Sequence, residues 1–175
     1  RIMASGDFET GRGLLTEHDI APSYLERVTR DIRLARPVSV VVDGGNGAAG
    51  MLAAEALRRA GAEVTPLFCE PDGRFPNHHP DPVVEENTRQ LAAKVRETGA
   101  DFGVGLDGDG DRLGVVDEKG ELLFGDRLLA LFAREVLAEH PGATVIREAK
   151  CSHLLYRDIT GHGGVPVMGG DGTSL

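Results

Sequence analysis

The apolar residues of this chain fall into two patterns, short β-branched runs and stripes at helical spacing. Tyr24, Leu25, Val28 and Ile32 recur at helical spacing, and Pro22 suits a first helical turn, so the pattern predicts a helix over 22–33. The run Val38-Ser39-Val40-Val41-Val42-Asp43 is nearly continuous and β-branched, as a strand covered on both faces requires. It leads into Gly44-Gly45-Asn46-Gly47-Ala48-Ala49-Gly50 and then an Ala- and Leu-rich helix reaching residue 59. A strand follows over 63–68. Next come a helix over 83–98, with Leu91, Ala92 and Val95 as its apolar face, and a strand over 100–106. Strand, glycine turn and helix open a βαβ unit, so the fold class is α/β, a mixed, mostly parallel sheet with flanking helices.

The later pattern adds a hairpin and a second, partial α/β unit. Residues 113–116 and 121–124 flank Asp117-Glu118-Lys119-Gly120 as two hairpin arms. A helix over 126–139 turns Leu128, Leu129, Phe132, Val136 and Leu137 inward and ends at Pro141-Gly142. A strand over 143–147, a helix over 150–159 and a strand over 165–168 complete the series. Two stretches carry no periodicity. Residues 1–15 scatter Gly6, Gly11 and Gly13 among polar residues and read as a linker. Residues 70–82 hold Pro71, Pro76, Pro80 and Pro82, which excludes regular structure.

Composition narrows the function classes. A hydrophobic fraction of 41% over 175 residues supplies a core, yet no apolar run approaches the roughly 20 residues that span a bilayer. The formal net charge of -9 argues against nucleic-acid and anionic-membrane partners, while leaving room for a local basic pocket for a phosphorylated small molecule. Cys69 and Cys151 form no disulfide framework, which points to a reduced, cytoplasmic setting. The first residue is Arg1 and the last, Leu175, falls in a Gly-rich stretch, so the sequence reads as a piece of a longer protein.

The chemistry concentrates at Gly105-Leu106-Asp107-Gly108-Asp109-Gly110-Asp111-Arg112. Three carboxylates in five residues repel one another unless a cation sits among them, and hard divalent cations take oxygen ligands. Three readings compete. The plain one is a solvated acidic turn, since Asp-Gly pairs form turns. A calcium loop with Asp107, Asp109, Asp111 and Glu118 has the right spacing. It places Arg112 where the sharp turn needs Gly, and strand-like runs flank it where helices belong. The third is a Mg²⁺ site at the end of a strand, with Arg112 free to grip an anion bidentately. Ligand crevices of open α/β sheets lie at that end of the strands.

Other candidates weigh less. Gly45-Asn46-Gly47-Ala48-Ala49-Gly50 matches a dinucleotide fingerprint, but neither Glu63 nor Glu70 ends a strand as the ribose-binding acid should. Small residues that let the helix approach the sheet explain the glycines better. His78 and His79 are adjacent, so in extended backbone they point apart and make a poor metal pair; a rigid structural loop is the simpler reading. Lys150 follows a strand end, where a phosphate- or hydroxyl-binding lysine and a solvated one are equally expected. Asp126 opens a helix and suits its dipole.

Taken together, 40–50, Cys69 to Pro80, Gly105 to Arg112 and Ala149-Lys150-Cys151-Ser152 resemble, in this order, the phosphomannomutase/phosphoglucomutase group of the α-D-phosphohexomutase superfamily. That resemblance implies four domains around a cleft. Residues 1–15 correspond to the link from a first domain, 16–116 to the second domain, and 117–175 to part of the third. It also implies a reaction: a phosphoserine on the first domain exchanges its phosphoryl group with mannose or glucose 1- and 6-phosphates. By the resemblance Asp107, Asp109 and Asp111 hold Mg²⁺, Arg112 contacts the sugar or stabilises the transfer, and Lys150 binds substrate. The chain departs from the family pattern at Glu148, where Asp is usual, and over Gly169 to Leu175. There Gly170 and Thr173 stand where the family has Lys and His. Without the serine loop the fragment is expected to be catalytically silent, its partners being the remaining domains and the hexose phosphate. The rivals are a hexosamine-phosphate mutase of the same superfamily and a stand-alone metal- or nucleotide-binding module.

Overall fold

A computed structural model describes residues 6, 8 and 11–169. The element order is α1 (Ala21–Thr29), β1 (Ser39–Asp43), α2 (Gly50–Arg59), β2 (Glu63–Leu67), α3 (Arg89–Thr98), β3 (Phe102–Leu106), β4 (Leu113–Val116), β5 (Leu122–Leu123), α4 (Gly125–Glu139), β6 (Thr144–Arg147), α5 (His153–Gly161) and β7 (Val165–Met168). The first five strands form one sheet in the order β2-β1-β3-β4-β5, and β6 pairs with β7 in a separate parallel ribbon. β1 runs parallel to both β2 and β3, while β4 is antiparallel to β3 and to β5. All strands of the larger sheet except β4 therefore point one way, and the predicted mixed, mostly parallel α/β architecture is what forms.

The continuous apolar run of β1 has its cause in the two layers that cover it. Val41 faces one side and clusters with Leu91 and Val95 of α3 and with Val116. Val40 and Val42 face the other side and cluster with Ala54 of α2. All three valines are essentially excluded from solvent, and each full burial contributes roughly 1.5–3 kcal/mol. The second unit has its own core, in which Ala133 and Leu137 of α4 meet Leu155 and Ile159 of α5.

Three helical expectations change. The helix predicted from residue 83 begins at Arg89, because 83–88 wind into turns in which Thr88 N–H donates to the Glu85 carbonyl and the Asn87 amide to that of Asp81. Such local bonds compete with helix. The helix predicted to residue 33 ends at Thr29, which leaves Ile32 beyond α1; of the apolar stripe only Leu25 is buried, and Tyr24, Val28 and Ile32 stay exposed. On α4 the buried face is turned towards Ala133 and Leu137, and Phe132 is 53% exposed. It lines an apolar cavity of about 430 Å³ shared with Phe102, Val104 and Val115 of the sheet. Among the described residues no helix is long and apolar enough to cross a membrane. Residues 11–20 form neither helix nor strand.

At the edge opposite the aspartate loop, the starts of β1 and β3 are pinned together. Asp101 accepts from the backbone N–H of Ser39 at 2.7 Å, from its hydroxyl at 3.0 Å and from Arg36 at 3.0 Å. The Ser39 N–H, the Arg36 guanidinium and the Ser39 hydroxyl hold its carboxyl down at about 2. A depressed folded-state value contributes stability above the ordinary carboxylate range, and that contribution disappears as pH falls through about 2. Asp101→Asn is therefore expected to unfold more readily than the parent at pH 5, with the gap closing as the pH is taken down through about 2. Urea midpoints across that range provide the check; a gap that stays constant with pH rules this out.

Candidate metal centre and its supporting loops

β3 delivers the chain to the aspartate loop at the C-terminal end of the parallel strands. Asp107 is 2% exposed, whereas Asp109 and Asp111 stand in solvent. The loop folds back on itself: Gly110 N–H donates to the Asp107 carbonyl at 3.2 Å, and Asp107 N–H to the Arg112 carbonyl at 3.3 Å. Gly110 sits at φ +80, a conformation that strains a residue with a side chain. The result brings one carboxylate oxygen from each of Asp107, Asp109 and Asp111 within 4.8 Å of one another.

The electrostatics of the trio are unequal. Burial pushes the Asp107 carboxyl up, but the Arg112 N–H and guanidinium outweigh it and hold the group at about 2. The charges of Asp109 and then Asp107 push the Asp111 carboxyl above its ordinary range. The carboxylates thus oppose one another's ionisation, and the positive charge of Arg112 offsets this only in part. Three oxygen donors with unrelieved repulsion fit a hard divalent cation such as Mg²⁺.

Arg112 supplies part of that charge and is less free than the sequence suggests. Its N–H and Nε donate to the two oxygens of Asp107, both at 2.9 Å, and Nη1 lies 3.4 Å from Asp81 Oδ1. Among the described residues Nη2 has no partner, and it remains for an anion. Each Asp107 oxygen keeps a second lone pair, so engagement with Arg112 leaves it able to ligate.

The glycine turn after β1 is filled by protein. Gly44 N–H donates to Leu67, Asn46 N–H to Phe68, Gly47 N–H to Gly44 and Ala48 N–H to Gly108, all to carbonyls, and Gly45 N–H donates to the Asp43 carboxylate. Every N–H from 44 to 48 is thus spent on a protein acceptor, which weighs against a pyrophosphate seated in the turn itself. A Cβ on Gly47 would lie 2.7 Å from the Gly108 carbonyl oxygen and 2.9 Å from that of Asp107. The glycines exist so that this turn can lie against the aspartate loop.

The proline-rich loop closes the other side. Asp81 holds Arg112, and the Pro80 and Phe75 rings lie against Gly108. His78 does not bind with His79 as a pair. Its Nε2 lies 3.0 Å and 3.2 Å from the two oxygens of Asp43, itself 2% exposed. The Asp43 hydrogen bond raises the imidazole's pKa above its usual value despite burial. The sequence shows both residues but not their meeting, since 35 positions separate them.

Lys150 lies in the exposed turn after β6, outside the aspartate cluster, and its side chain has no hydrogen bond among the described residues. Asp126 does more than face a helix dipole: its carboxylate accepts from Ser152 N–H at 3.2 Å, tying the start of α4 to the cap of α5. The Gly170 to Leu175 departure lies outside the described residues.

Residues 22–120 match the family of phosphoglucomutase/phosphomannomutase, alpha/beta/alpha domain II. The chain belongs to this family. A phosphomannomutase/phosphoglucomutase of Pseudomonas aeruginosa is 48% identical over 173 residues, covering 99% of this chain and 37% of the relative. A phosphoglucomutase of Neisseria gonorrhoeae is 44% identical over 164 residues, covering 94% of this chain and 36% of that protein. The solved structure of a phosphoglucomutase/phosphomannomutase family protein from Burkholderia thailandensis superposes with a TM-score of 0.90 at 46% identity, covering 99% of this chain and 38% of that one. The chain thus spans little more than a third of the length of the relatives it matches. Within the phosphoglucomutase/phosphomannomutase domain II, the matched residues contain the glycine turn, the proline-rich loop and the aspartate loop; Lys150 and the β6–β7 unit lie beyond them.

Proposed function

We propose that this chain carries the metal-binding part of a cytoplasmic phosphohexomutase that interconverts mannose or glucose 1- and 6-phosphates through a phosphoserine on another domain. The observation that carries the reading is the convergence of Asp107, Asp109 and Asp111 on one point at the strand ends. These three carboxylates would hold Mg²⁺, with Asp107 fixed by Arg112 and the exposed pair closing from solvent. Bound there, the cation supplies charge against the oxygens of a transferring phosphoryl group. Arg112, bonded to Asp107, would stabilise the phosphoryl or orient the sugar, while Asp107 and Asp81 keep its guanidinium from swinging away. Lys150, in its exposed turn, would reach substrate from the third domain.

The same proposal divides the chain into a linker (1–15), a second domain (16–116) and part of a third (117–175). Across that boundary β5 pairs with β4, so the start of the third part shares the sheet of the second. The test is a coupled assay of the full-length protein. Mannose 1-phosphate and glucose 1-phosphate are expected to be converted to their 6-phosphates with Mg²⁺ present, and chelation should stop turnover. Failure to convert either sugar, or turnover indifferent to chelation, would overturn the assignment.

A further inference from the structure

The proline-rich loop between β2 and α3 is fastened by polar side chains that the metal centre does not use. Asp43, at the end of β1, accepts from Gly45 N–H at 2.9 Å and faces His78 Nε2 with both oxygens. The other ring nitrogen, His78 Nδ1, lies 2.9 Å from the His79 carbonyl. Both ring nitrogens therefore face acceptors, which an imidazolium satisfies and a neutral ring cannot. Its charge offsets the burial of Asp43, whose carboxylate would otherwise be stranded beneath the loop. A second fastening runs beside the first. The Asn77 amide donates to Asn46 Oδ1 at 2.8 Å, the Asn46 amide to the Glu70 carbonyl at 2.8 Å, and Asp72 N–H to the Asn46 carbonyl at 2.9 Å.

What the fastened loop then touches is the aspartate loop, at two places. The rings of Pro80 and Phe75 line the space beside Gly108, where an added Cβ would meet them at 3.6 Å and 3.7 Å, and Asp81 bonds Arg112. We propose that His78, buried against Asp43, is a positioning residue that latches the proline-rich loop over the aspartate loop and thereby sets its cation affinity. The inference rests on the cation reading above, which the experiment tests separately.

In the full-length protein, Mn²⁺ affinity can be followed by the loss of the free-ion paramagnetic resonance signal, alongside thermal unfolding. His78→Ala is expected to weaken Mn²⁺ binding about tenfold, the lower end of what partners of metal ligands contribute. His78→Gln keeps a donor towards Asp43 without the charge and is expected to fall between the two. It also covers the case in which the Ala variant does not fold. Asp101→Asn, which loosens the opposite end of the same strands, is expected to lower the unfolding temperature and leave Mn²⁺ affinity within about twofold. A parent that binds no Mn²⁺, or an Asp109→Asn variant that binds it as well as the parent, overturns the cation reading and this inference with it. Normal Mn²⁺ binding by the parent, lost in Asp109→Asn but kept within about twofold in the folded His78 variants, overturns the latch alone.

Discussion

Asp109→Asn in the full-length protein is expected to lower hexose-phosphate turnover by about 10²–10³-fold at saturating Mg²⁺, the several kcal/mol that a correctly held cation gives a phosphoryl-transfer transition state. This variant isolates the metal because of where Asp109 stands. Its side chain is exposed and makes no hydrogen bond or ion pair among the described residues, so the amide disturbs no fold contact. Stability should stay within about 0.5 kcal/mol of the parent. The same change at Asp107 would be ambiguous, because Asp107 is buried and anchors Arg112 through both oxygens. Asp109 also supplies the largest push on the Asp111 carboxyl, and its removal lets that group ionise more readily. Steady-state rates and urea midpoints on the same preparations separate the two effects. Undiminished turnover in a folded Asp109→Asn enzyme would sink the ligand assignment.

A larger structural effect is expected from one added methyl group. In Gly47→Ala the new Cβ would press on the carbonyl oxygens of Gly108 and Asp107 at 2.7 Å and 2.9 Å. Neither is the end of a flexible side chain; both are backbone, so the turn or the aspartate loop must move. Overpacking of this kind costs about 1–3 kcal/mol. It also lengthens the bond from Ala48 N–H to the Gly108 carbonyl, which joins the two loops at 3.0 Å. The expected result is lower stability together with weaker metal binding. Gly73→Ala, in the proline-rich loop with nothing within 4 Å of the added Cβ, serves as the control and should lie within about 0.5 kcal/mol of the parent. Equal midpoints for the two variants would mean that the glycine turn does not brace the metal loop.

Much of the candidate site could be read before any coordinates. Alternating carboxylates and glycines after a strand mark a cation loop because hard cations need several oxygen donors close in space, and a short loop supplies them from adjacent residues. The β-branched run at Val40 to Val42 likewise declares a strand covered on both faces. These features depend on neighbours in sequence. Helical stripes were less informative about burial. The spacing of Tyr24 and Val28 marks one side of α1, and that of Phe132 and Val136 one side of α4. Whether a side is covered depends on the element that packs there.

The arrangement around the metal loop was decided only in three dimensions. Asp43 and His78, Asp81 and Arg112, and Gly47 and Gly108 are each far apart along the chain; the last pair meets because β1 and β3 lie side by side in parallel register, the other two because the loop after β2 folds back over the strand ends. Sequence spacing carries no trace of such meetings, since the loop between two strands can close in many ways at nearly equal entropic cost. The sequence alone determined the candidate ligand types, their spacing and the strand that presents them. Tertiary structure alone decided that Arg112 is tied to Asp107 and Asp81, that the N–H groups of 44–48 are spent on protein acceptors, and that His78 pairs with the buried Asp43. Contacts of that kind are fixed by packing and by the need to satisfy buried charge, and both are properties of the folded chain.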